Sequence, residues 1–298
     1  MNQVVVKQEK SGYQIVEAYK SLRTNLQFCG EDKKVIAVTS CTPNEGKSSV
    51  SMQLGISLAE SGKRVILIDA DLRKSVLLGR TKTQKSVRGL AHFLSGQATL
   101  EDVICSTNVK NFYMIYSGPF PPNPAELLGG KNFRSLLNAL RKVYDYVIVD
   151  TPPLGSVIDA AVAAKKCDGT ILVIENNAIS YKFAQNVKAQ LDKTGSRILG
   201  VVLNKVDMST KSYGHYGKYY GKYYGKYYGQ YGNEGVHAKT TDLSRQGAEE
   251  AGAEAGMRAS RKLTEKRPMD STVEESAESD LNLDEMLDRG SDLEEINL

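Results

Sequence analysis

Val35-Ile-Ala-Val38 runs toward Cys41-Thr-Pro-Asn44-Glu45-Gly46-Lys47-Ser48-Ser49, and a helix-patterned stretch follows as far as Gly62. A strand, a turn-rich loop and a helix in this order are the context in which the pattern G-x-x-x-x-G-K-[ST] cradles phosphate. Cys41 stands where the full pattern has glycine, but Gly46, Lys47 and Ser48 keep the parts with the most direct chemistry. Backbone N–H groups at the opening of that helix point at an anion, and the helix dipole favours negative charge there. Asn44, Glu45, Gly46, Lys47, Ser48 and Ser49 are therefore the expected nucleotide-binding residues. Lys47 would reach the β and γ phosphates, and the Ser48 hydroxyl would ligate Mg²⁺.

Two more apolar runs end in carboxylates. Val65-Ile-Leu-Ile68 is followed by Asp69-Ala-Asp71-Leu-Arg73, and Tyr146-Val-Ile-Val149 by Asp150-Thr-Pro-Pro153. An aspartate that ends a buried strand is often only a turn former. Here Lys47 and Asp69 bound one helix-then-strand step, which in a parallel sheet returns the chain to the same edge. That edge, at the carboxyl ends of the strands, is where open α/β sheets bind their ligands. Asp69, Asp71 and Asp150 become candidate catalytic groups, with Asp150 in the place of a strand-end metal carboxylate. Thr170-Ile-Leu-Val-Ile174 and Leu199-Gly-Val-Val-Leu203 read as further strands, continuous apolar runs that predict burial on both faces. Asn204 ends the last of them. The expected class is α/β, a doubly wound, mostly parallel sheet.

A different composition begins near residue 210. From Tyr213 the chain reads Tyr213-Gly-His-Tyr216-Gly-Lys-Tyr219-Tyr220-Gly-Lys-Tyr223-Tyr224-Gly-Lys-Tyr227-Tyr228-Gly-Gln-Tyr231, nine of its 16 tyrosines. A packed core has no use for such a segment: the rings would compete for one small volume, and the glycines raise the entropy cost of ordering. Beside a nucleotide site, each hydroxyl is a candidate phosphate acceptor.

Taken with the phosphate loop and the tyrosine-rich end, Ile66-Leu-Ile68-Asp69-Ala-Asp71-Leu-Arg73 and Val147-Ile-Val149-Asp150-Thr-Pro152 resemble a bacterial tyrosine kinase of capsule or exopolysaccharide synthesis. Glu17-Ala-Tyr-Lys20-Ser-Leu-Arg23, Gly118-Pro-Phe-Pro-Pro-Asn123-Pro-Ala-Glu126-Leu-Leu128 and Ile198-Leu-Gly-Val-Val-Leu-Asn204 extend the resemblance over roughly residues 12 to 232. It implies a MinD-like P-loop NTPase fold over residues 1–209 and a tyrosine cluster over 210–232; the acidic extension over 233–298 lies outside the resemblance and is longer than the family leads one to expect. It also implies an ATP-dependent protein-tyrosine autokinase that uses Mg²⁺, held by Ser48 with Asp71 and Asp150 close by. Asp69 is the candidate for deprotonating the incoming tyrosine, although the sequence leaves open which of Asp69 and Asp71 is base and which is ligand. Asn204 resembles the family's adenine-side residue, and reads equally well as a strand-end turn asparagine.

Family resemblance further implies a ring-like homo-oligomer, built through a helix motif Glu-x-x-Arg-x-x-Arg that appears here as Glu17, Lys20 and Arg23. Lysine at position 20 keeps the charge and loses the planar fork, which implies weaker assembly. The implied partners are a membrane activator protein with a cytoplasmic tail, a tyrosine phosphatase, and the machinery of polysaccharide synthesis and export. Ile15, Tyr19, Leu22 and Leu26 recur near helical spacing and predict an N-terminal helix packed on the sheet. Asn123-Pro124 predicts a cap and first-turn proline for a helix starting near Ala125.

Composition agrees with a cytoplasmic protein, and the resemblance implies recruitment to the inner face of the plasma membrane by a partner. No apolar run approaches the ~18 residues of a membrane span, and no signal peptide opens the chain. Cys29, Cys41, Cys105 and Cys167 fall at no metal-like spacing and suggest no disulfide framework. Residues 233–298 hold 17 Asp+Glu against 8 Lys+Arg, a net −9; with the whole chain at +4, residues 1–232 carry +13. A basic domain suits ATP, acidic partners and anionic polymer, and nucleic acid is not an expected partner. The acidic end reads as a disordered tail, with Leu281, Leu283, Met286, Leu287, Leu293 and Ile296 as the makings of a short docking helix. Two other functions fit parts of the pattern: a MinD- or ParA-like positioning ATPase, which would not need the tyrosines, and a non-catalytic scaffold phosphorylated by another kinase.

Overall fold

A computed structural model of the 298-residue chain describes residues 2–7, 12–83 and 87–206. The tyrosine cluster and the acidic extension lie outside the described residues. Nine strands form one sheet: β1 (Asn2–Val6), β2 (Val35–Ser40), β3 (Val65–Asp69), β4 (Thr81–Thr83), β5 (Cys105–Thr107), β6 (Phe112–Ile115), β7 (Tyr146–Asp150), β8 (Gly169–Glu175) and β9 (Ile198–Asn204). Their spatial order is β4-β1-β5-β6-β3-β7-β2-β8-β9. Six consecutive strands, from β6 to β9 in that order, are mutually parallel. The antiparallel pairs are β5 with β6 and β1 with β4.

The helices are α1 (Tyr13–Phe28), α2 (Lys47–Glu60), α3 (Leu90–Leu94), α4 (Leu100–Val103), α5 (Pro124–Gly129), α6 (Lys131–Val143), α7 (Asp159–Ala164) and α8 (Tyr181–Asp192). They cover both faces, as the period-2 alternation of strand side chains dictates. Ile36, Val38, Val65 and Leu67 pack with Val50, Leu54 and Leu58 of α2 and Leu26 of α1. Ile66, Ile68, Val147 and Val149 face the other way, toward Phe133, Leu136 and Leu140 of α6. On that same side Ala37 and Leu172 meet Ala160 and Ala164 of α7 and Leu191 of α8. A doubly wound, mostly parallel sheet is the result. Gly55 lets α2 lie close on the sheet, because a Cβ there would sit 2.6 Å from the Phe112 ring.

Three sequence expectations need correction. Strand β9 is not buried on both faces: it is the last strand in the sheet, and Val201 and Leu203 are about half exposed. Helix α1 packs through Tyr19, Leu22 and Leu26, partly against α2, while Ile15 faces outward. Pro124 does open α5, but the Asn123 side chain makes no capping hydrogen bond. Among the residues with an expected role in assembly, Glu17 and Lys20 form an exposed ion pair at 2.7 Å. Arg23 donates from Nη1 to the Ser57 carbonyl of α2 at 2.8 Å. No helix among the described residues is long and apolar enough to cross a membrane.

Candidate active site

The loop between β2 and α2 takes its shape from two left-handed residues, Asn44 (φ 69°) and Gly46 (φ 92°). Gly46 is the residue before α2, and no side chain caps that helix end, so the first-turn N–H groups stay open to an anion. A Cβ on Gly46 would also lie 2.1 Å from Asn204 Nδ2. Cys41 is not among the residues with positive φ, so glycine's freedom is not needed there. Burial pushes its thiol up to about 12. The loop is braced from inside: Glu45 is buried and accepts from Thr42 N at 2.7 Å and Glu175 N at 3.4 Å. From the far side Asn204 Nδ2 donates to the Glu45 carbonyl at 2.8 Å. Ser49 accepts from Arg80 Nη1 through its hydroxyl at 2.6 Å, which leaves its backbone N–H for the anion.

Two of the three candidate carboxylates, Asp71 and Asp150, meet Lys47. Its Nζ lies 3.4 Å from Asp71 Oδ2, 3.5 Å from Asp150 Oδ2 and 3.1 Å from Ser48 Oγ. Asp69 and Asp150 are paired residues at the ends of the neighbouring strands β3 and β7, both shut off from solvent. Burial, and then the Asp150 charge, push the Asp69 carboxyl up to about 7, while Ser75 and Lys47 pull it partly back. Asp150 is also raised, first by burial, against the lowering pull of Lys47 and the hydroxyls of Ser48 and Ser51. Asp71 Oδ1 accepts from Lys74 N at 3.0 Å. Asp69 Oδ1 has no hydrogen-bond partner, one of two such buried side-chain atoms among the described residues. A buried acceptor left open in this way points to a missing donor.

Residues absent from the sequence reading complete the site. Ser51 donates to Asp150 Oδ1 at 3.1 Å, one helical turn from Lys47; the i, i+4 spacing was the available signal. Ser75 donates to Asp69 Oδ2. Thr39 Oγ1 donates to the Pro152 carbonyl and Thr151 Oγ1 to the Val38 carbonyl, both at 2.9 Å, which pins the end of β7 to β2. Arg73 grips both oxygens of buried Asp159, at 2.7 and 3.0 Å, and so ties the loop after β3 to α7. Nothing in the sequence marks Asp159 as that partner.

A cation fits this cluster, since the Lys47 ammonium already lies among Ser48, Asp71 and Asp150. No group of three or more His, Cys, Asp or Glu side chains among the described residues gathers as a metal cage. Two carboxylates and a hydroxyl suit Mg²⁺, which keeps waters and takes phosphate oxygens as its remaining ligands. The fold and loop are those of a nucleotide-binding P-loop protein.

A sequence profile described as an AAA domain matches residues 33–205. Tyrosine-protein kinase CpsD of Streptococcus agalactiae is 44% identical over 203 residues, covering 68% of this chain and 89% of the relative. Among solved structures, the kinase domain of the Escherichia coli tyrosine kinase ETK aligns with TM-score 0.60 at 34% identity, over 66% of this chain and 79% of that one. The septum site-determining protein MinD of Pyrococcus horikoshii, complexed with Mg-ADP, aligns with TM-score 0.51 at 27% identity, over 59% and 72%. With the phosphate loop, the paired strand-end aspartates and this similarity together, the chain belongs to the bacterial tyrosine kinases, protein-tyrosine kinases built on a MinD-like P-loop fold.

Proposed function

We propose that the protein is an ATP-dependent autokinase that phosphorylates the tyrosines between Tyr213 and Tyr231 in trans, and so regulates capsular or exopolysaccharide synthesis and export. The observation that carries the reading is Asp69: a buried carboxylate with one open oxygen, beside Lys47 and the open helix end. The γ-phosphate rests against the loop amides and Lys47, which stabilise charge on the transferring group. The acceptor Tyr Oη forms the new O–P bond as the bond between γ-phosphorus and the β–γ bridging oxygen breaks, and ADP leaves with that electron pair. The phenolic proton passes to Asp69 Oδ1. Phenol ionises near pH 10, so a positioned carboxylate whose own value is raised suffices as acceptor. Ser48, Asp71 and Asp150 would hold Mg²⁺, which would neutralise charge on the phosphates. Asn204, bonded to the loop backbone, is assigned to the adenine side.

Assembly is assigned to α1, where Tyr13, Ile15 and Val16 are exposed beside the Glu17–Lys20 pair. Each phosphate adds about −1.5 to −2 charges, so a fully modified cluster carries roughly −14 to −18 against Lys218, Lys222 and Lys226. Repulsion among such segments would open the assembly until a phosphatase resets it. The same reading places the protein in the cytoplasm, brought to the membrane by an activator with a cytoplasmic tail. The test mixes two variants. A catalyst copy with all nine clustered tyrosines changed to Phe should label an acceptor copy carrying Lys47→Met on tyrosine. Release of free phosphate without labelled tyrosine would instead indicate a positioning ATPase.

A further inference from the structure

Three loops on the carboxyl edge each leave a large apolar side chain in solvent. Val76 follows β3, Phe120 follows β6 and Ile158 follows β7, and they are 47%, 64% and 58% exposed. The strands they follow are neighbours in the order β6-β3-β7. One side-chain contact joins two of these loops, Arg73 to Asp159 next to Ile158, while Ser75, next to Val76, binds Asp69 at the end of its own strand. The Asp159 hydrogen bond chiefly favours the charged form of Arg73, with smaller contributions from Asp71 and from Glu126, which is exposed on the first turn of α5. An exposed apolar group beside a polar border marks a binding surface more readily than a scattered residue does.

We propose that the rim formed by Val76, Phe120 and Ile158, with Glu126 at its border, is the docking surface for the Lys-Tyr-Tyr-Gly repeats of a second copy of this chain. The inference rests on the kinase reading and names where the acceptor enters. Strand order gives the direction. With the nucleotide base assigned to the Asn204 side of the loop, toward β8 and β9, the acceptor reaches Asp69 from the β3–β6 side. The repeats match the rim in chemistry: Tyr pairs offer aromatic faces to Phe120 and the aliphatic groups. Lys218, Lys222 and Lys226 each precede such a pair and meet Glu126. A phosphorylated tyrosine, carrying about −1.5 to −2 charges, is repelled by that same carboxylate, which favours release of product.

The route, rather than its length, selects a second copy as the source. β9 ends at Asn204 on the same edge, four strand spacings from β3, about 19 Å. Tyr213 is nine residues beyond Asn204, at most about 30 Å of extended chain. A direct path within one chain crosses the mouth of the phosphate loop, where the nucleotide must enter, whereas a neighbour's segment meets no such obstacle.

The experiment measures kcat and KM with the nine-Tyr→Phe catalyst copy, using as acceptor either the Lys47→Met copy or a synthetic peptide of residues 217–232. Phe120→Ala, at an exposed position, should raise KM for both acceptors about tenfold, with kcat and the KM for ATP unchanged. Glu126→Lys should raise KM for the natural peptide more than for one with its lysines changed to Gln. Unchanged acceptor KM in both variants would overturn the docking surface while leaving the kinase reading intact. Weakened self-association with unchanged KM for the free peptide would make the rim a contact between folded copies and would also overturn it. Labelling of the intact chain at a rate per molecule independent of protein concentration would overturn the second copy as source. A wild-type catalyst unable to label tyrosine would sink the kinase reading, and the docking surface with it.

Discussion

Carboxylates occupy both edges of the same sheet, and they are treated in opposite ways. At the amino edge, just before β8, Asp168 Oδ2 accepts from Lys34 N and Val35 N at 2.9 and 2.8 Å, and Oδ1 pairs with Arg141 at 2.7 Å. Asp145, before β7, accepts from Arg64 N at 2.7 Å. These groups close the starts of strands, and their hydrogen bonds are spent on the fold; the open buried atom at this edge among the described residues is a donor, Nε of the Arg141 already paired with Asp168. At the carboxyl edge Asp69 and Asp150 face each other across adjacent strands, both raised above the ordinary carboxylate range, and Asp69 keeps an open oxygen. A sheet of this kind can be tight at one edge and frustrated at the other because the strands between them are fully buried. The frustrated edge is the one with chemistry left to do.

The comparison breaks most visibly at Lys47. Lys47→Met removes the only cation bonded to Asp71 and Asp150 among the described residues. Tyrosine labelling should fall at least ~100-fold, with circular dichroism unchanged. At the opposite edge Asp168→Ala leaves the Val35 N–H and Arg141 without their side-chain acceptor, and leaves the Lys34 N–H only the Asp32 carbonyl. It should cost roughly 2–4 kcal/mol in a urea melt, with labelling per folded molecule close to wild type. If Asp168→Ala instead abolished labelling in folded protein, the division between the edges would fail.

Asp69 sharpens the contrast by linking stability to pH. Its folded value of about 7 lies above the ordinary 3.8, so the folded, nucleotide-free protein holds that proton more tightly than the unfolded chain. The destabilisation is therefore absent below about pH 4, grows between about pH 4 and 7, and is complete above that. Asp69→Asn removes it. The variant should melt higher than wild type at about pH 8, with the advantage shrinking toward about pH 5, while tyrosine labelling is lost. An advantage that does not change with pH would show that Asp69 is not held in this raised state. The smallest effect belongs to Cys41, buried at ordinary φ. Cys41→Gly restores the full loop pattern yet should lose ~1 kcal/mol of stability and leave nucleotide affinity unchanged by fluorescence titration.

Legibility in the sequence followed the same division. The loop at Gly46-Lys47-Ser48 and the strand ends at Asp69 and Asp150 could be read because their chemistry lies in local order: apolar run, then turn or carboxylate. β9 was misjudged because an apolar run carries no record of its place in the sheet, and the last position leaves Val201 and Leu203 in solvent. Ile15 fits the helical period but falls outside the arc that α2 covers. The Arg73–Asp159 clamp joins residues 86 apart in sequence, and the Thr39 and Thr151 braces cross 113. Such partners exist only once the strand order is fixed. Ser75 lies six residues past Asp69, near in sequence, but a serine after two basic residues has many possible uses.

The most direct test of the account is mass spectrometry of the purified protein after incubation with Mg²⁺ and ATP, wild type beside Asp69→Asn. The wild type should carry phosphate on tyrosines between Tyr213 and Tyr231, and the variant should carry almost none while still binding nucleotide. Phosphotyrosine at wild-type levels in Asp69→Asn, or a wild type that hydrolyses ATP without modifying those tyrosines, would contradict the assignment of this edge.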